Sequence, residues 1–201
     1  YFEVIDTILK KVAEKQADNL VKAAEMIVDA ALSGGRFWIY GWVVGEVTYR
    51  AGGLVMVKGL PDSSCSQLQE DDVVVLSAVR NNDPSDALFI EKAKAKGAKT
   101  IAIVPSNNPP DASRRLQDMV DLAIDDYTET GDGCLEVQGY ASKICPTSGV
   151  VNAVIMWAVC AGVLDELRRR GKEAHVFKSV FRVGADEWNA EMFEEYERTG
   201  Y

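Results

Sequence analysis

Three stretches of this chain carry side chains suited to a small phosphorylated ligand. Ser77-Ala78-Val79-Arg80-Asn81-Asn82-Asp83-Pro84-Ser85 gathers hydroxyls, a guanidinium and amides just ahead of a predicted helix. Free N–H groups, the helix dipole and a charge-assisted fork all favour phosphate at such a place. The same residues also make an ordinary polar loop, with Asp83 or Ser85 as its helix cap. Glu46 and Arg50 stand four apart on one predicted helix. As a surface pair they are worth about 0.2–0.5 kcal/mol. As a carboxylate just past the first strand, Glu46 is instead placed to face a ligand and move a proton. Aldose–ketose isomerisation needs that arrangement, with one base shuttling a proton between adjacent carbons through an enediol and another group opening the ring. Glu46 is the candidate base. Lys143 and Pro146-Thr147-Ser148 mark the start of a long helix, and Asp186-Glu187-Trp188-Asn189 falls in a tail rich in aromatic residues. The sole histidine, His175, has the spacing of a packing or capping residue.

These residues need elements to hold them. Residues 2–32 repeat apolar groups at i, i+3 and i+4 and predict one long amphipathic helix or two, stopped by Ser33-Gly34-Gly35. Strands are predicted at 37–41, 54–57, 73–77, 100–104 and 120–125. The uninterrupted apolar run at 73–77 is what a parallel strand covered on both faces shows. Helices are predicted at 46–51, 86–96 and 150–170, and Ser106-Asn107-Asn108-Pro109-Pro110 reads as loop. Strand and helix alternate with short connections, which predicts right-handed crossovers in a three-layer α/β/α sandwich. No composition break divides the chain, so 1–201 is expected to be one domain, with a helical segment at 1–34 and a tail at 172–201 that docks on the domain or on a partner subunit. Ligands of such open sheets sit beyond the carboxyl ends of the strands, which directs attention to Gly41, Ser77 and Val104.

Composition narrows the partners. With 201 residues the chain buries about 70% of its unfolded surface and forms a real core. A net charge of −9 and a pI near 4.7 repel phosphate polymers and anionic lipid, which argues against nucleic acid and membrane surfaces. Small phosphates are unaffected, since a few amides and one or two cations suffice locally. The apolar run at 150–164 is too short to span a bilayer. Cys65, Cys134, Cys145 and Cys160 show no C-x-x-C spacing and read as free thiols in a reducing cytoplasm. The chain opens on Tyr1 rather than methionine, as a trimmed polypeptide would. One histidine and scattered cysteines predict no metal site, no glycine-rich dinucleotide turn follows the first strand, and no cofactor is expected.

The order of elements, together with Tyr49-Arg50-Ala51-Gly52-Gly53-Leu54, Asp125 with Gly131-Asp132, Lys143 with Pro146-Thr147-Ser148, and Val176-Phe177, Ser179, Gly184, Asp186-Glu187 and Asn189, resembles the sugar isomerase (SIS) domain family. It is most similar to the uncharacterised phosphosugar-binding branch with a YRAGGL turn. The resemblance implies a five-stranded parallel sheet in flavodoxin-like order, a homodimer or dimer of dimers built through the long helices, and an active site completed by the neighbouring subunit. It implies a phosphorylated monosaccharide or amino sugar as ligand and isomerisation as the activity. Glu46 is the implied base. Gly41, Arg50, Ser77, Arg80, Asn81, Asn82, Lys143, Thr147, Ser148, Glu187 and Asn189 are the implied ligand contacts. The chain departs from the family at four places. Gly41-Trp42-Val43-Val44 lacks the usual turn hydroxyl, Ser77-Ala78-Val79-Arg80 replaces Ser-x-Ser-Gly, Trp188 stands where a histidine is expected, and 60–70 is much shorter. Either loops are missing from the polypeptide as read, or the protein has diverged. A divergent protein would take a different ligand, bind a sugar phosphate as a sensor without turnover, or serve as a dimeric scaffold with Trp42 filling the old pocket.

Overall fold

A computed structural model describes residues 1–106, 114–129 and 131–201. The expected loop at 106–110 lies outside the described residues beyond Ser106. The amphipathic repeat at the start forms two helices, α1 (Phe2–Lys15) and α2 (Ala17–Leu32), separated at Gln16. Then follow β1 (Phe37–Gly41), a single helical turn α3 (Val44–Val47), β2 (Val57–Gly59), β3 (Val73–Ser77), α4 (Pro84–Ala95), β4 (Lys99–Val104) and β5 (Leu122–Asp125). A two-stranded antiparallel hairpin, β6 (Gly133–Leu135) and β7 (Ile144–Pro146), precedes the long helix α5 (Ser148–Arg169), and α6 (Ala185–Thr199) completes the order.

The sheet is five-stranded and parallel throughout, in the order β2-β1-β3-β4-β5. Side chains of each strand alternate between two cores, as the pleat requires. Phe37, Ile39, Val73, Val75, Ile101 and Ile103 pack against α2 and α5. Trp38, Val74, Leu76, Ala102 and Val104 pack on the other face against Phe89 and Ile90 of α4 and against Leu60, Cys65 and Leu68. The second face is therefore covered partly by irregular chain. The crossover from β2 to β3 at 60–72 contains no helix, in keeping with its short length.

Four local expectations need correction. The apolar run at 54–57 is not a strand: Leu54, Val55 and Met56 are buried beside the sheet, and pairing with β1 begins only at Val57. The predicted helix at 46–51 is α3, which starts earlier and ends at Val47, because Thr48 is already extended and Tyr49 turns to φ +56. The tail at 185–199 is helical. Finally, α5, expected at 150–170, is long and apolar enough to cross a membrane by length and composition, contrary to the reading of its apolar run as too short, but half of its most apolar stretch is buried, as in a core helix.

Candidate functional site

The order of the strands reverses between β1 and β3, and a cleft of about 610 Å³ opens at their carboxyl ends. Gly41 permits this opening. Its φ is +106, and a Cβ there would stand 2.2 Å from the carbonyl oxygen of Ser77. Around the two strand ends the cleft is lined by Tyr40, Trp42 and Val44, by Leu60 and Pro61 of the short crossover, and by Val79, Arg80, Asp83, Ser85 and Asp86. Tyr40 is fixed by stacking on Phe89 with centroids 4.1 Å apart. Trp42 is 79% exposed, so it stands at the mouth and does not plug the pocket.

The turn after β3 divides its labour. Asp83 caps α4, accepting hydrogen bonds from the Ser85 amide (2.9 Å), the Ser85 hydroxyl (2.6 Å) and the Asp86 amide (3.4 Å). The Ser85 hydroxyl foremost, with these amides and the Arg80 guanidinium, holds the Asp83 carboxyl below the usual range. The N-terminus of α4 is thus already occupied by a carboxylate and is not the anion cradle the sequence suggested. Farther back the turn is open. Among the described residues no protein acceptor takes the amides of Val79, Arg80 and Asn82, and Arg80 lies beside them, exposed and 3.4 Å from Asp83. Amides without an acceptor among the described residues, next to a guanidinium, have the chemistry that suits an anion.

The remaining expected contacts are distributed as follows. Ser77 is buried, and its hydroxyl accepts a 3.1 Å hydrogen bond from Asn152 of α5. The Asn81 side chain is committed to Gln117, through 2.6 and 3.0 Å bonds that pin the segment before β5. Asn82 is half-buried on the same turn. Glu46 and Arg50 pair at 3.3 Å on the surface, with side chains 46% and 54% exposed, outside the cleft lining. Thr147 and Ser148 give their amides to Asp132 at 2.9 and 2.7 Å, so Asp132 caps α5. Lys143 pairs with Glu129 at 2.6 Å. Glu187 is exposed on α6, and Asn189 clamps the backbone of Lys178 from both sides. Within one chain, then, Gly41, Ser77 and Arg80 come together at the cleft, and Glu46, Arg50, Lys143, Thr147, Ser148, Glu187 and Asn189 stand elsewhere.

Two of the quoted motifs prove to be one device. The Gly52 amide donates to the Phe177 carbonyl (2.7 Å), the Phe177 amide to Gly53 (3.0 Å) and the Val55 amide to His175 (2.9 Å), with Leu54 bridging Val176 antiparallel. The YRAGGL turn is therefore a docking edge for residues 174–178.

Asp86 was missed as a site residue, because in sequence it is merely an early residue of a helix. It lines the cleft, and among the described residues no donor reaches its carboxylate. Burial, with the charge of Asp83 adding and Arg80 opposing, pushes it up to about 6. Asp126, directly after β5, is fully buried and also pushed up to about 6, chiefly by burial. One of its oxygens takes the Thr128 amide and hydroxyl, and the other has no partner among the described residues. A carboxyl raised on folding stabilises the protein below its unfolded pKa and loses that contribution as pH rises through the folded value. Asp126→Asn should therefore gain stability relative to the parent between pH 4.5 and pH 7.5, by about 2 kcal/mol. Urea titrations at both pH values test this, and an equal difference at both would show that Asp126 does not titrate in that window.

Comparison with known proteins agrees with this geometry. The fold matches a phosphoheptose isomerase from Francisella tularensis with a TM-score of 0.59 at 14% identity, over 81% of this chain and 94% of that one. A phosphoheptose isomerase from Neisseria gonorrhoeae matches with a TM-score of 0.57 at 11% identity, over the same shares. The five-stranded parallel sheet and its switch-point cleft thus belong to the fold that these isomerases share. By sequence, the chain belongs to the family described as a domain of unknown function (DUF2529), which matches residues 5–150. A UPF0309 protein of Geobacillus thermodenitrificans is 33% identical over 98% of this chain and 93% of its own length, and one of Streptomyces griseus is 27% identical over 98% and 93%. The Geobacillus alignment runs over 234 positions while taking in 98% of a 201-residue chain, so that relative carries insertions which this chain lacks.

Proposed function

We propose that this protein binds a phosphorylated sugar in the cleft between β1 and β3 and interconverts its aldose and ketose forms. The observation that carries this reading is the set of amides at Val79, Arg80 and Asn82, without an acceptor among the described residues, beside the Arg80 guanidinium at the switch point of an SIS-type sheet. The phosphate would rest there, and the sugar would lie along Tyr40 and Trp42. Asp86, desolvated and partly protonated near pH 6, suits the acid that opens the ring. Glu46, on the helical turn after β1, is the proposed proton shuttle once Arg50 releases it. The pairing of Glu46 outside the cleft favours a second reading, in which the domain senses the sugar phosphate without converting it. We further propose a cytoplasmic homodimer or dimer of dimers. Val150 and Val154 of α5 are 44% and 42% exposed, next to half-buried Trp157, and a second copy would cover that face.

Thermal shifts with aldose, ketose and amino-sugar phosphates, set against their unphosphorylated forms, test the binding. Ligand at a hundred times its dissociation constant should add about 2.7 kcal/mol. Arg80→Ala should weaken the phosphorylated sugars at least about tenfold, the loss of one charge-assisted contact. Solvent deuterium at the carbon next to the carbonyl separates turnover from sensing. No shift with any phosphorylated sugar would overturn the reading, and Glu46→Gln exchanging at the parent rate would remove Glu46 from it.

A further inference from the structure

The hairpin in front of α5 places two cysteines opposite one another. Its register pairs Gly133 with Pro146 and Leu135 with Ile144, which leaves Cys134 and Cys145 directly opposite one another. Opposed residues of an antiparallel ladder have Cα atoms about 4.5–5.5 Å apart, inside the roughly 4.4–6.8 Å that a disulfide spans. Both thiols are reduced and half-buried, whereas Cys65 and Cys160 are buried in the two cores. A Cβ on Gly133 would lie 2.4 Å from the Lys143 carbonyl oxygen, so the segment leading into β7 passes close over the start of β6. Cys145 itself sits at φ +62, where a non-glycine residue is held only by its surroundings.

The position of the pair gives it leverage. Asp132 immediately precedes β6 and Thr147-Ser148 immediately follow β7, and the Asp132 carboxylate holds the Thr147 and Ser148 amides and the Ser148 hydroxyl. Whatever fastens the hairpin fastens the cap of α5. We propose that Cys134 and Cys145 are a modification site, forming a reversible intrachain disulfide by exchange with a small-molecule disulfide. The Cys134 thiolate attacks one sulfur of that disulfide and expels one small thiolate. Cys145, losing its proton to solvent, then attacks the Cys134 sulfur of the mixed disulfide and expels the second. The two protein thiols are oxidised by two electrons, and the small disulfide is reduced to two thiols. Disulfides of this kind in a reducing compartment are transient and report redox state.

The test uses the full chain, reduced and then incubated with oxidised glutathione, with remaining thiols alkylated in denaturant and counted by intact mass. Alkylation should fall from four cysteines to two, and peptide mapping should join Cys134 to Cys145 within one chain. Hydrogen exchange at the Thr147 and Ser148 amides should slow by at least about tenfold on oxidation, as expected where a cross-link suppresses local opening. Cys134→Ser and Cys145→Ser should each abolish both effects. If Cys145→Ser does not fold, Cys134→Ser carries the comparison. Alkylation that stays at four, a glutathione adduct that never closes, or a link between different chains would each overturn the proposal.

Discussion

Asp72→Ala should destabilise the protein by about 3–5 kcal/mol, the loss expected when one member of a buried charged network is removed. Asp72 is 1% exposed and stands just before β3. Its carboxylate accepts from the Arg36 amide (2.8 Å), the Arg36 Nε (3.3 Å) and Nη2 (3.0 Å), the Trp38 indole N–H (2.9 Å) and the Gln69 amide (3.0 Å). Arg36 also lies over the Trp38 ring and donates to the Gln67 carbonyl. One carboxylate therefore gathers the start of β1, the start of β3 and the end of the helix-free crossover. Alanine strands a buried indole N–H and a largely buried guanidinium together. Thermal unfolding should drop by roughly 10 °C, at the 2–4 °C per kcal/mol usual for this size. Asp72→Asn, which keeps the shape and loses the charge, should fall between the two. A change under about 1 kcal/mol for alanine would mean that water satisfies these donors, and the network would then have no structural weight.

Gly41→Ala should be nearly as damaging, and at the cleft itself. The added methyl would meet the Ser77 carbonyl oxygen at 2.2 Å and its carbon at 3.1 Å, both backbone atoms that cannot rotate aside. A φ of +106 adds about 1–3 kcal/mol of strain for any residue with a side chain. Gly41 and Ser77 are the last registered pair of β1 and β3, so relief comes only by parting the strands where the ligand is proposed to sit. The expected result is a loss above about 3 kcal/mol, together with loss of sugar-phosphate binding. Urea titration and thermal shift on the same variant separate the two effects. Full stability and full binding would show that the strand ends separate freely.

Much of the fold was legible because its physical causes are local. The four-residue apolar run at the start of β3 announces a strand covered on both faces, and Asp83-Pro84 announces the start of α4. Leu54 to Met56 misled because burial beside a sheet leaves the same apolar signature as pairing within it. The helix α6 was hidden by composition: acidic residues surround Trp188, Met192 and Tyr196, and its register shows only once Ala185 and Tyr196 are seen to be buried. Strands of three residues, such as β6 and β7, are too short to carry a period. The candidate site was legible as a place and less so as chemistry. The turn after β3 follows from the order of elements, but what its residues do depends on distant partners. Asn152 engages Ser77 from 75 residues away, and Gln117 takes Asn81 from 36. The carboxylate at Asp86 became informative only through its burial in the cleft wall.

The strap at 174–178 sets an order on the protein's making. Residues 52–55 leave the ribosome early, yet the carbonyls of His175 and Phe177 that receive their amides come more than a hundred residues later. Loop closure over that separation is entropically costly and is gained late. The sheet from β1 to β5 has all its strands before that point, but the edge beside β2 stays unsealed until the strap arrives. Until α5 and the strap have been made, one face of the sheet and the seam at 52–55 lack their cover, and that interval is when a chaperone or a neighbouring nascent chain can engage the protein.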